Sequence, residues 1–387
     1  MSQGTGGGRI GRRGLLLATT GALAGGGAIS SVASSAPGPL PTTTPEAAGF
    51  RPDLAEQLEA GLRSGALRDL HGVVLARKGQ IVLERYLSGP DDAWGRKLGV
   101  VQFGPEVLHD LRSVTKSLVG LLYGIALAQG RVPAPEALLF AQFPEHADLL
   151  AATPARAAIT VAHVLGMTMG TQWRETDVPY TDPTNDEIAM ERAPDRVRYV
   201  LERPVVEAPG KRWVYSGGAV ALLGVLIERG TGKGLHAFAQ EVLFGPLGIT
   251  TSEWATGRDG RASAASGARL RPADLLRIGL MVLAGGRSGD TQVVPAGWVQ
   301  ALMQPRVEAF EGVRYGWLWY AGQIGTPALP GRHPWMAGFG NGGQRMWLVP
   351  AADLVLVSVS GAYDTPDQWM TPAKLFRDIV MANLIRA

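Results

Sequence analysis

Strand-forming patterns occupy only the two ends of this chain, and a long helical stretch separates them. Gly72–Ala76 and Gln80–Tyr86 read as two strands joined by the turn Lys78-Gly79, the pattern of a hairpin. After about residue 310 strands return at Tyr315–Tyr320, Arg345–Val349 and Leu354–Ser360. Between about residues 113 and 270 the apolar periodicity is mostly helical, as in Ser113–Gln129, Val197–Leu201, Ala219–Arg229 and Leu235–Phe244. The fold class expected is therefore α/β of the α+β kind: one composite domain whose N- and C-terminal parts share a sheet flanked by helices. The middle forms an all-helical lobe, and the active site is expected in the groove between them. The flanking helices are expected at Pro52–Arg63, with Leu54, Leu58 and Leu62 on one face, and at Pro372–Ile385.

The first 36 residues stand apart. Arg12-Arg13-Gly14-Leu15-Leu16-Leu17 opens an apolar, Gly/Ala-rich run to Ile29, followed by small residues up to Ala36. Adjacent arginines before a weakly hydrophobic run resemble a twin-arginine export signal, with cleavage near Ala33 or Ala36. The partner implied is the twin-arginine export machinery, and the expected location of the product is periplasmic or secreted. The run is Gly-rich and shorter than the ~20 apolar residues that a membrane span needs. Pro37 to residue 48 reads as a linker, leaving residues 49–387 as the catalytic domain with its helical lobe at about 113–270.

The charge pattern argues against nucleic acid. The formal net charge is +3, but Arg9, Arg12 and Arg13 are the only charged residues before Pro37, so the remainder balances near zero. With no Cys, the chain has no thiolate nucleophile and no Cys-based metal site. None of the six His stands in metal-ligand spacing with another, and His163 reads as a satisfied helix residue. Gly338, Gly340 and Gly343 fit Gly-x-Gly-x-x-Gly, yet a strand rather than a helix follows them, so dinucleotide binding is not expected.

What remains is Ser113-Val114-Thr115-Lys116 at the start of an apolar helix. A spacing of three puts the hydroxyl and the amine on one helical face. The helix N-terminus adds free N–H groups suited to a developing oxyanion. Burial favours a neutral amine able to accept the Ser proton. Two further segments belong with it. Tyr215, in Trp213-Val214-Tyr215-Ser216-Gly217-Gly218, can point into a cleft, where a phenol of lowered pKa beside a Lys shuttles protons. Gly340-Asn341-Gly342-Gly343-Gln344 is expected to open a strand whose N–H groups approach a substrate carbonyl.

Taken together, Ser113-x-x-Lys116, Tyr215 and the glycine-rich segment near residue 343 resemble the serine β-lactamase and penicillin-recognising hydrolase superfamily. Leu111–Ser117, Phe244-Gly245-Pro246-Leu247-Gly248-Ile249 and Gly342-Gly343-Gln344 are similar to its class C-like esterases and 6-aminohexanoate-dimer hydrolases. The resemblance implies an antiparallel sheet, Ser113 as acylated nucleophile, Lys116 as its general base or tuning partner, and Tyr215 as proton shuttle. It implies an oxyanion hole from the N–H groups of Ser113 and Gln344, with Gly343, Gly342 and Asn341 lining the substrate. Such a set needs no cofactor and no metal.

Two departures bear on substrate. Where the family has Tyr-x-Asn or Tyr-x-Ser, this chain has Gly217; where true β-lactamases have Lys-Thr-Gly, it has Asn341-Gly342-Gly343. Without that Lys no fixed cation awaits a β-lactam carboxylate. The expected substrate is a small-molecule carboxylic ester or short linear amide. The alternatives are a D-Ala-D-Ala-type carboxypeptidase or weak β-lactamase, and a non-catalytic, acylated sensor or binding protein of the same fold. The loop Trp173–Asp186, with Glu175, Asp177, Tyr180, Asp182 and Asp186, is expected to be mainly solvated; the other reading, implied by the resemblance, is that it walls the pocket and that an acid in it pairs with an amine-bearing substrate.

Overall fold

The computed structural model describes Met1 and residues 38–387, so the export-signal segment lies outside the described residues. Helix α1 (Leu54–Arg63) leads into strands β1 (Leu70–Arg77) and β2 (Gln80–Tyr86). Lys78 and Gly79 both take positive φ, +51° and +74°, the geometry that a two-residue hairpin turn demands. Helix α2 (Val114–Ala128) begins the helical part, which includes α3 (Asp186–Arg192) and α4 (Gly217–Thr231). Helix α5 (Pro272–Leu283) returns the chain to the sheet. Strands β3 (Val307–Phe310), β4 (Val313–Tyr315), β5 (Tyr320–Thr326), β6 (Leu329–Gly340), β7 (Gln344–Val349) and β8 (Leu354–Ser360) follow, and α6 (Met370–Lys374) comes last.

The eight strands form one antiparallel sheet in the order β3-β4-β5-β6-β7-β8-β1-β2. The two ends of the chain meet where β1 pairs with β8, Val74 opposite Val357. Every residue of β1, β7 and β8 is buried, which explains their unbroken apolar runs: helices cover both faces. Helix α5 packs on β8 and β1, while on the C-terminal side Phe376 stacks on Trp347 at 4.8 Å.

Three expectations differ from the structure. The stretch read as a linker is docked, with Thr43 N–H donating to Ile81 O and Ile81 N–H to Pro41 O, so it extends the edge at β2. Of the strand expected at Tyr315–Tyr320 only the two end residues lie in strands, ending β4 and opening β5, and residues 316–319 turn between them. The twelve-residue β6 was not expected at all, because Pro330, Pro334 and three glycines interrupt its sequence. Gly338 and Gly340 let β6 lie against the start of α2. A Cβ at Gly338 would sit 3.0 Å from Ser117 Oγ and 3.1 Å from Val114 Cγ1. Among the described residues no helix is long and apolar enough to cross a membrane.

Candidate active site

Ser113 is the residue that begins α2, and its setting is built by its neighbours. Arg112 holds a positive φ of +46°, a conformation that a non-glycine residue adopts only when contacts enforce it. Here Arg112 Nε lies 3.2 Å from Asp110 Oδ2 and the guanidinium lies over the Tyr363 ring at 4.7 Å. This bend turns Ser113 toward the cleft. One helical turn later, Lys116 Nζ donates to Ser113 Oγ at 3.0 Å and to Ala265 O at 3.0 Å. Lys116 Nζ also lies 4.7 Å from the centre of the Tyr215 ring, so sequence-distant Tyr215 joins the pair.

Tyr215 departs from expectation in its chemistry. Burial and the neighbouring Glu175 push its phenol well above the usual value, outweighing the hydrogen bond with Ser113 and the nearby Arg345 that pull it down. Proximity to Lys116 therefore does not give a lowered pKa.

The space beside Lys116 is filled by two glutamates. Glu175 Oε1 lies 3.9 Å and Glu187 Oε2 3.7 Å from Lys116 Nζ. Glu175 accepts from Trp173 Nε1 at 2.7 Å, Tyr180 OH at 3.0 Å and Gly217 N–H at 2.6 Å. Ser266 Oγ donates to Glu187 at 2.7 Å. Burial, then the charge of Glu187, pushes Glu175 up to about 8. Burial alone would raise Glu187 too, but Lys116 and the hydrogen bonds from Glu175 and Ser266 hold it below the ordinary value. Glu175 therefore keeps a proton and offers it to Glu187. The loop expected to be solvated is thus divided: Asp177 and Asp182 face outward, whereas Glu175 and Asp186 are buried. Asn185 makes that turn, since its side-chain amide donates to Glu175 O and Val178 O while its oxygen caps α3.

The glycine-rich segment also sits differently. Gly340 ends β6, and Asn341–Gly343 is the turn into β7 rather than the start of a strand. A Cβ on Gly340 would lie 3.2 Å from Ser113 N, so the strand backbone beside the nucleophile is Gly338-Phe339-Gly340. Asn341 lines the cleft, whereas Gln344, Gly343 and Gly342 do not. Gln344 is fully buried, its amide donating to Ser360 O at 2.6 Å and accepting from Ser360 N–H at 3.0 Å. Gly342 N–H donates to Gln368 Oε1 at 2.6 Å and Gly343 N–H to Gly340 O at 3.3 Å. Among the described residues the N–H groups of Ser113 and Asn341 have no protein acceptor. The N–H pair open to a carbonyl oxygen is therefore Ser113 with Asn341, in place of Ser113 with Gln344.

These groups share a cleft of about 640 Å³, whose walls include Ser113, Glu175, Tyr180, Tyr215, Asn341 and Arg345. Arg345 is the cation that the sequence did not reveal. It stacks on Phe339 at 4.6 Å, and burial lowers its guanidinium to about 10.

The histidines also differ from expectation. His71 and His109, far apart in sequence, meet with Asp91 behind the Ser113 bend; their ligand atoms lie within 4.8 Å of one another, close enough to hold a metal ion. The residues present satisfy one another in part. His109 Nδ1–H donates to Asp110 O at 2.9 Å, His71 Nδ1–H to His109 Nε2 at 2.9 Å, and Tyr363 OH to Asp91 Oδ1 at 2.9 Å. The ring nitrogens that would face a cation are thus engaged with each other. His163 lies elsewhere, closing a capping box with Thr160 as a helix residue should.

The profile of the Beta-lactamase family matches residues 53–369. The chain belongs to the beta-lactamase family. Within that family it is 25% identical over 337 residues to the 6-aminohexanoate-dimer hydrolase of Paenarthrobacter ureafaciens, covering 82% of this chain and 76% of the relative. It is 32% identical over 142 residues to the lovastatin esterase of Penicillium rubens, covering 34% of this chain and 33% of that enzyme. Among solved structures, EstCE1, a hydrolase with promiscuous acyltransferase activity, matches with a TM-score of 0.65 at 16% identity, over 85% of this chain and 99% of that one. A class C beta-lactamase matches with a TM-score of 0.59 at 15% identity, over 84% and 96%. The protein is a hydrolase of the beta-lactamase fold, related to an aminohexanoate-dimer hydrolase and to esterases.

Proposed function

We propose that this beta-lactamase-family protein is an exported serine hydrolase that cleaves carboxylic esters or small linear amides through an acyl-enzyme on Ser113. The observation that carries the reading is the 3.0 Å contact between Lys116 Nζ and Ser113 Oγ at a cleft that also holds Tyr215. Ser113 Oγ attacks the carbonyl carbon as its proton passes to the Lys116–Tyr215 pair, which acts as one coupled base. The carbonyl oxygen becomes an oxyanion and accepts from the N–H groups of Ser113 and Asn341. Collapse breaks the bond to the leaving alcohol or amine, which takes the proton back from Tyr215. Water then attacks the acyl-enzyme, giving its proton to the same pair, and the acid leaves as Ser113 Oγ regains a proton. The negative charge shared by Glu175 and Glu187 stabilises the ammonium on Lys116 during each proton transfer.

Export rests on the twin-arginine-like segment ending near Ala36. The ester or amide preference rests on the relatives and on the lack of a lysine in the strand beside Ser113. The test is hydrolysis of 4-nitrophenyl butyrate by the mature protein beside its Ser113→Ala variant, followed by intact mass. Steady turnover that vanishes in the variant is expected. Equal activity in both would remove Ser113 from its role. One acyl mass gained without turnover would favour a sensor over an enzyme.

A further inference from the structure

Nine of the ten tryptophans are buried or half-buried. Trp369 is the exception: it is 58% exposed, and it lies in the wall of the cleft that holds Ser113 and Tyr215. Exposed apolar side chains scattered singly are ordinary, so exposure alone assigns nothing. Val100, Leu138, Val206, Phe310 and Ile385 are exposed in that ordinary way, and none of them lines the cleft. Trp369 is set apart by its place.

The backbone that carries it is anchored on both sides. Before it, Gln368 Oε1 accepts from Gly342 N–H at 2.6 Å, and Asp364 exchanges two hydrogen bonds with Asn341. After it α6 begins, and Trp369 O accepts from Ala373 N–H at 3.1 Å. Residues 364–369 are thereby tied to the turn that presents the Asn341 N–H to a carbonyl oxygen. The indole is left open. Among the described residues no aromatic ring stacks on it, no cation lies over it, and no protein acceptor meets its Nε1–H.

The other exposed residues of the cleft wall, which form its mouth, are Thr176, Asp177, Pro179, Asp364 and Pro366. Both carboxylates are already engaged, Asp177 with Arg174 at 3.4 Å and Asp364 with Asn341. The surface that remains is a threonine, two prolines and the indole. An aromatic ring on a fixed backbone loses little freedom when it binds, and covering its face removes apolar area from water.

We propose that Trp369 is a specificity-determining residue whose indole receives an apolar group of the substrate, an aromatic ring or an alkyl chain, at the mouth of the cleft while Ser113 attacks the carbonyl further in. This rests on the hydrolase reading of the same cleft. The preferred esters or amides then carry a bulky apolar group that reaches the mouth, and acetyl-sized substrates are poorer.

Two series locate that group. 4-Nitrophenyl acetate, butyrate and octanoate lengthen the acyl side; phenyl acetate against biphenyl-4-yl acetate enlarges the leaving side. In one series kcat/KM of the mature protein is expected to rise about tenfold or more from the smallest to the largest member, as for burying two or more methylene groups. In Trp369→Ala that ratio should fall toward one, mainly through KM, and Trp369→Phe should keep part of it. No rise in either series overturns the proposal, as does a loss in Trp369→Ala that is equal for small and large members. A parent that hydrolyses none of these esters is a failure of the hydrolase reading, and a second arm then decides without turnover. In Ser113→Ala, octanamide should shield the exposed tryptophan fluorescence from acrylamide at concentrations where propanamide does not, and the shielding should be absent when Trp369→Phe is added. Shielding in both proteins alike, or in neither, overturns the proposal.

Discussion

A Cβ atom at position 217 would fall 2.7 Å from Glu187 Oε2. Glycine at this place therefore does more than omit the Asn or Ser that relatives carry there. It opens the space into which Glu187 brings its carboxylate against Lys116, beside the Gly217 N–H that bonds Glu175 at 2.6 Å. Gly217→Ala should push Glu187 aside and lower kcat/KM for 4-nitrophenyl butyrate about tenfold or more, since small displacements of catalytic groups are costly. Gly217→Asn should be worse than Ala, although it restores the relatives' residue; steady-state kinetics of the two variants checks this order.

Glu187→Gln keeps the shape of the side chain and removes its charge 3.7 Å from Lys116 Nζ. The ammonium that forms there in each proton transfer is then less stabilised. The expected result is a fall in kcat on the order of tenfold with KM little changed. The acid limb of the kcat/KM profile should move as well, which a merely structural defect would not produce. A pH series on parent and variant measures both.

Stability should fall as the pH rises from about 5 to about 8.5, through the part that Glu175 contributes. Its folded-state pKa is raised to about 8 by burial and by Glu187, above the usual glutamate value of 4.5. Between those values the folded protein holds a proton that the unfolded chain has lost, so folding is favoured at low pH and the advantage disappears through pH 8. Melting temperatures across this range should decline less steeply in Glu175→Gln than in the parent.

Asn341 ties the turn that carries its own free N–H: its amide donates to Asp364 Oδ1 at 2.6 Å and its oxygen accepts from Asp364 N–H at 2.9 Å. Asn341→Ala leaves the backbone donor present but loosely held. A drop in kcat of severalfold to about tenfold is expected, with a smaller change in KM. Asp364→Ala should shift kcat in the same direction by less, because it removes only the Oδ1 acceptor and leaves the Asp364 N–H to bond Asn341.

The parts of this site visible in the sequence are those set by local geometry. Ser113 and Lys116 are one helical turn apart, so their spacing alone implies contact, and the 3.0 Å hydrogen bond follows from helix geometry. The hairpin at Lys78-Gly79 was equally plain, as were β7 and β8, whose apolar runs reflect burial on both faces. Strand β6 was hidden because its composition serves a close approach to α2 rather than strand propensity. Glu187 and Arg345 were hidden for another reason. Each acts on residues far away in the chain, through a fold that the local pattern around it does not encode. The phenol of Tyr215 is raised rather than lowered because it is buried and, next, because the Trp173–Asp186 loop folds Glu175 inward beside it, neither of which its local sequence encodes.

The closeness of β6 to α2 has an evolutionary side. True β-lactamases carry a lysine in the strand beside their nucleophile, and here that strand offers Gly338, already 3.0 Å from Ser117 Oγ at the place where a Cβ would begin. A side chain at 338 would press on Ser117 and Val114 in the first turns of α2, the helix that Ser113 starts. A lysine there would be accommodated more easily with less bulk at Val114 or Ser117. Acquiring a cation on that strand is thus coupled to how closely one strand lies on one helix.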